Sequence, residues 1–154
     1  MGRPPTGCNR ERSKFRRGLT AALLEYARAQ FTLSKPDKKT GKTRLKLLIE
    51  IRDQTGVVAP ELANMPPLPA ETAHLWNWFL DLNSTRTAGF TINPIGWSDL
   101  DAYFRLQRIR PDGWEVATLR ALDDAYLSIQ NDEATGAVAG AKALKSQMTG
   151  KAAL

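Results

Sequence analysis

Residues 74–82 read His74-Leu75-Trp76-Asn77-Trp78-Phe79-Leu80-Asp81-Leu82, and their spacing decides the fold. Leu75, Trp78, Phe79 and Leu82 recur at three- and four-residue intervals, the period of one helix face, with Trp76 beside them. The segment opens after Pro69 with Glu71 in its first turn, where a carboxylate favours the helix dipole. It ends near Asn83 to Thr87, and Gly89 marks the turn.

Two further segments repeat this logic of a cap followed by an apolar stripe. One starts at Ser98 as N-cap, with Asp101 three residues on and Trp97 just ahead. Its buried side is Leu100, Tyr103, Phe104 and Gln107, flanked by Leu106. The other starts at Asp112, with Glu115 as the reciprocal partner of a capping box, and carries Val116, Leu119, Leu122, Tyr126 and Ile129. Short turns between helices place neighbours antiparallel or sharply crossed. Residues 71–130 are therefore expected to form an autonomous, Trp-rich three-helix unit, and the fold class to be all-α, a small helical bundle.

All four tryptophans, Trp76, Trp78, Trp97 and Trp114, fall in this unit. They fill a small core on one reading. On the other, one or two line a groove for a partner, since tryptophan is enriched at binding hot spots. Three helices do not easily enclose four indoles whose N–H groups each need a partner. Trp76 and Trp97 are the two expected to be partly exposed.

Upstream, residues 57–70 contain Pro60, Pro66, Pro67 and Pro69, which lack a backbone donor and fix φ, so the stretch reads as an extended linker. Residues 15–56 read as a basic, mainly helical segment. Phe15, Leu19, Ala22, Leu23, Tyr26 and Gln30 follow helical spacing from about Ser13 to Phe31, and Ser34-Lys35-Pro36-Asp37 ends that helix. Residues 45–52 fit a half-buried strand by alternation and a helix by spacing. Helix is favoured slightly because no second strand is visible, with Gly56 as its stop. Residues 1–14 read as a flexible basic arm. Residues 131–154, rich in Ala, Gly and Lys, read as a flexible tail, disordered or only partly helical.

The 154 residues carry 22 Lys+Arg against 16 Asp+Glu, a net charge of +6. Residues 1–54 hold 14 basic and 5 acidic residues, a net of +9, and residues 55–154 hold 8 and 11, a net of −3. Such a split suggests two parts with different jobs, or one part that meets an acidic partner. No apolar run approaches the ~20 residues that cross a bilayer, and the basic start lacks the apolar core of a secretory signal. One cysteine, Cys8, and one histidine, His74, leave no internal disulfide, no cysteine zinc site and no His-pair metal site. Gly41-Lys42-Thr43 looks like the end of a phosphate loop, but Pro36 stands where the motif needs its first glycine. His74 has no nucleophile context, and Asp99, Asp101, Asp112 and Glu115 are explained by capping and solvation. No catalytic residue, metal or cofactor is expected.

The run Leu68-Pro69, His74 to Leu82, Arg86, Asn93-Pro94-Ile95-Gly96-Trp97-Ser98-Asp99-Leu100, Gly113-Trp114-Glu115 and Leu119 to Leu127 resembles the phage tail assembly chaperones of long-tailed phages and prophages of Gram-negative bacteria. Gly113 stands where that pattern usually has proline, which leaves the cap intact. The resemblance implies a non-enzymatic chaperone or adaptor that binds the helical tape-measure protein and helps recruit tail-tube protein. It also implies action in the cytoplasm of the bacterial host, absence from the finished virion and possible self-association. Trp76, Trp78, Phe79, Arg86, Trp97 and Trp114 are the candidate partner-binding residues, and the basic first half adds attraction to an acidic partner.

A second function class stays open. Gly2-Arg3-Pro4 resembles an AT-hook core that enters the minor groove. Arg3, Arg10, Arg12, Lys14, Arg16 and Arg17 are the residues that would then neutralise phosphates in a DNA-binding packaging or regulatory protein.

Overall fold

A computed structural model of the chain describes residues 6–37, 40–86 and 91–149, the side chains of 6–9 and 132–149 excepted. The architecture is all-α. In chain order the helices are α1 (Thr6–Ser34), α2 (Arg44–Thr55), α3 (Pro60–Ala63), a 3-10 turn (Ala70–Thr72), α4 (Ala73–Ser84), α5 (Trp97–Gln107) and α6 (Gly113–Thr149).

Helices α4, α5 and α6 occupy the three segments whose spacing reads as helical, but they do not close a core of their own. Leu23, Ala27 and Phe31 of α1 are buried together with Leu75, Trp76, Phe79, Leu82, Leu100, Phe104, Leu119 and Leu122. The physical reason is the excess of rings: the aromatic surface of α4 needs a second cover beside α6, and α1 supplies it. Helices α1 and α6 lie side by side and parallel. Arg16 Nη2 meets Asp112 Oδ2 at 2.6 Å, Thr20 meets Thr118 at 3.3 Å, and Lys35 Nζ donates to the Ile129 carbonyl at 2.7 Å. The bundle is therefore built on four helices rather than three.

Several boundaries differ from the sequence reading. Helix α1 begins at Thr6 rather than about Ser13, so it takes in much of the expected arm, and residues 1–5 lie outside the described residues. The proline-rich linker holds the short helix α3, which Pro60 starts because the first helical position needs no N–H donor. Residues 44–55 are helical, with the Thr43 side chain accepting from the Lys46 N–H and Gly56 closing the end at φ 71°. Helix α5 is capped two residues earlier than expected. Gly96 is its N-cap, the Asp99 carboxylate accepts the Gly96 N–H at 3.1 Å, and Asp101 pairs instead with Arg105. The Asp112–Glu115 capping box forms as expected, with both reciprocal bonds at 2.8 and 2.9 Å. The backbone of α6 continues to Thr149, through most of the segment read as a flexible tail. Gly89 lies outside the described residues.

Candidate partner-binding groove

Helices α1, α4 and α6 meet along a cleft of about 400 Å³ lined by Tyr26, Gln30, Phe31, Ser34, Trp76, Leu80, Asn83, Tyr126 and Gln130, with Pro36 at one end. Its floor is a continuous set of rings. Trp76 packs edge-on against Tyr26 at 5.2 Å and tilted against Phe31 at 5.6 Å, and Phe31 meets Tyr126 edge-on at 5.1 Å. Beneath them Phe79 stacks on Trp76 at 5.8 Å and is wholly buried. Leu80 stands at the edge, 44% exposed. The rim is made of uncharged amides and a hydroxyl, Gln30, Asn83, Gln130 and Ser34. An apolar, aromatic floor with a polar rim matches one side of an amphipathic helix.

The six residues singled out by sequence go to different places. Trp76 is only 8% exposed, against the expectation of partial exposure, yet it forms the groove floor. Trp78 points to the opposite side of α4, edge-on to His74 at 4.9 Å and to Phe104 at 5.2 Å. Helical geometry makes this unavoidable: at ~100° per residue, positions 76 and 79 share a face and 78 leaves it. Trp97 is 64% exposed, as anticipated, with the Arg120 guanidinium 4.9 Å from its ring centroid. Trp114 donates its indole N–H to Thr20 Oγ1 at 2.9 Å and lies under Arg16 at 5.0 Å. The indoles thus do not converge on one side; the converging rings are Tyr26, Phe31, Trp76 and Tyr126.

Arg86 is held inside the molecule. Its guanidinium pairs with Asp123, donates to the Asn93 carbonyl at 2.6 Å and to Asn83 Oδ1 at 2.7 Å, and lies 5.0 Å from the centre of the Tyr126 ring. The other Asp123 oxygen accepts the Ile95 N–H at 2.9 Å. Sequence reading assigned Asp123 no role. The signal that could have found it is an acid next to fully buried Leu122, which needs a cation of its own.

Of the basic residues, Arg3 lies outside the described residues, as do Gly2 and Pro4. Arg10, Arg12, Lys14 and Arg17 are exposed on α1. Arg16 is committed to Asp112 and Trp114. Four described groups are electrostatically displaced: Arg44 is raised and Glu61 lowered by the hydrogen bond they share, and Asp112 and Tyr103 are the other two. The Asp112 carboxyl is held below its ordinary range, first by the backbone N–H of Glu115 and then by Arg16. Burial, with the hydrogen bond to Asp81, pushes the Tyr103 hydroxyl up to about 12. Among the described residues no group of three or more His, Cys, Asp or Glu side chains could hold a metal. No described helix is long and apolar enough to cross a membrane.

Fold and groove together define an all-α protein with an aromatic-floored cleft between α1, α4 and α6. The family model for phage tail assembly chaperones matches residues 51–128, just over half of the sequence. The chain belongs to the phage tail assembly chaperones. No curated protein and no solved structure matches it. The matched span contains α4, α5 and the first part of α6, whereas the α1 wall of the groove, Tyr26 and Phe31, lies outside it.

Proposed function

We propose that this chaperone holds an apolar helical segment of the tail tape-measure protein in the α1–α4–α6 groove while the tail is assembled. The observation that carries the reading is the aromatic floor of Tyr26, Phe31, Trp76 and Tyr126 beside the exposed Leu80. A long helical protein displays apolar stripes before it is packed. A rigid apolar cleft lowers the cost of keeping such a stripe in water, because its own rings are already ordered. Recruitment of tail-tube protein would use a separate contact, for which the exposed Trp97 is one available aromatic. The chaperone acts by binding alone, works in the host cytoplasm and leaves before the virion is complete.

Co-expression with the tape-measure protein encoded nearby tests the proposal. A soluble complex that co-purifies is the expected result. A tape-measure protein that stays insoluble and unbound in the presence of the chaperone contradicts it.

A further inference from the structure

The groove leaves one end of the molecule unused. Helix α1 starts at Thr6, and among its described side chains Arg16 is the first to pair with the start of α6, on Asp112 just ahead of it. The described side chains before that contact, those of residues 10–15, are all exposed. This free end carries Arg10, Arg12, Lys14 and, one turn on, Arg17, together with Phe15, which is 61% exposed. Among the described residues none of these four cations has an acidic partner; Arg17 only donates to the Ser13 carbonyl, at 3.3 Å. Arg16 is the one cation of the set drawn into the body.

Folding gains nothing from this arrangement. Arg10 and Lys14, and Lys14 and Arg17, are like charges one turn apart on one helix face, a spacing that weakens a helix. Phe15 meets water rather than core. An arrangement costly to the isolated chain becomes favourable when a complementary surface covers it. At ~100° per residue Arg10, Lys14 and Arg17 fall within an arc of about 60°. Carboxylates one turn apart on a second helix meet that row in register, and an apolar residue beside them covers Phe15.

We propose that the free end of α1 binds an acidic amphipathic helix of a protein partner, as a second surface separate from the groove. Charge complementarity selects the occupant: a row of fixed cations with an adjacent exposed ring takes carboxylates together with an apolar side chain. Duplex DNA fits less well. Phosphates would neutralise the cations but leave the 61% exposed Phe15 ring without an apolar cover.

The test uses three probes on the full-length chain: a helical peptide with glutamates one turn apart and leucines on the neighbouring row, the same peptide with glutamine for glutamate, and a ~20-base-pair duplex. Fluorescence anisotropy is read at low and high salt. The glutamate peptide is expected to bind, and to weaken about tenfold or more between ~50 and ~300 mM salt. The glutamine peptide should bind at least about tenfold less tightly. The triple variant Arg10→Ala, Lys14→Ala, Arg17→Ala and the single variant Phe15→Ser should each weaken peptide binding. Both should keep the parent helicity, because the side chains are exposed. Failure of the glutamate peptide to bind overturns the proposal. Equal binding of the two peptides, or indifference to Phe15→Ser, also overturns it. Tighter binding to the duplex than to the peptide would replace the protein partner with a nucleic acid.

Discussion

The Arg86 guanidinium and the Asp123 carboxylate form an almost fully enclosed ion pair that ties the end of α4 to the first part of α6. Asp123 also receives the Ile95 N–H, so the segment leading into α5 hangs on the same carboxylate. A pair of this kind is worth little against an apolar substitute of the same shape, but breaking it strands a buried charge.

Asp123→Ala is therefore expected to destabilise the fold by about 3–5 kcal/mol, because Arg86 is left without its anion. Chemical denaturation of the variant and parent, compared at equal slope, measures it. A change near zero would show that Arg86 finds water instead.

Helix α1 is expected to be indispensable to the part of the chain that looks like an independent unit. Removing residues 1–34 exposes the sides of Trp76 and Phe79 that Phe31 covers. It also removes Leu23 and Phe31 from the core, and each large apolar side chain contributes roughly 1.5–3 kcal/mol of burial. The truncated chain should lose its cooperative thermal transition. A sharp transition near that of the parent would restore the autonomous three-helix unit.

These two expectations mark where sequence reading succeeds and stops. The helical period of 74–82, 98–107 and 113–129 is legible because it depends on spacing alone, and the Asp112–Glu115 box because a capping box is a local motif. Trp76 and Trp78 are not sorted correctly by spacing, since which side of α4 is buried depends on what covers it. The cover is Tyr26 and Phe31, about fifty residues upstream and outside the family match. The same holds for Asp123. Its partner Arg86 is near in space only because α4 and α6 cross, and nothing local announces that crossing. Ser98 and Gly96 both head plausible caps, and the choice between them rests on which of Asp99 and Asp101 turns back toward the N-terminus.

Asp112 gives the fold an acid-sensitive edge. Its carboxyl is held low by the Glu115 backbone N–H and by Arg16. A carboxyl whose folded pKa is depressed contributes stability that is fully present above its unfolded value, near 4. That contribution is lost as the pH falls through the lower folded value. Asp112→Ala should cost about 1 kcal/mol at neutral pH, as for an N-cap lost from a helix. The gap between variant and parent should close as the solution is acidified below about pH 4. Thermal melts across pH check it.

Tyr103 supplies the alkaline counterpart. Its hydroxyl is raised to about 12 by burial and by donation to Asp81 at 2.7 Å. A raised folded pKa gives stability that is present below the unfolded value, near 10, and is lost as the pH rises through the folded one. Phenolate absorbance during an alkaline titration should show one tyrosine ionising late, and Tyr103→Phe should remove that late step. An unchanged titration after the substitution would contradict the assignment.

Leu80→Glu places a carboxylate at the rim of the ring-lined cleft without touching the core. It should leave the thermal transition within about 0.5 kcal/mol of the parent, as for most surface substitutions. Binding of the tape-measure protein should fall by tenfold or more, since the acid is desolvated without a partner. Loss of fold together with binding would return Leu80 to a structural role.

Site-specific photo-crosslinking addresses the groove itself. A photoreactive phenylalanine analogue is placed at position 80, at the cleft edge, or at position 106, where Leu106 on α5 is 84% exposed and away from the cleft. Each chain is then co-expressed with the tape-measure protein. A crosslink from position 80 to an apolar helical stretch of that protein, and none from position 106, is the expected result. Crosslinking from position 106 with none from position 80 would contradict it.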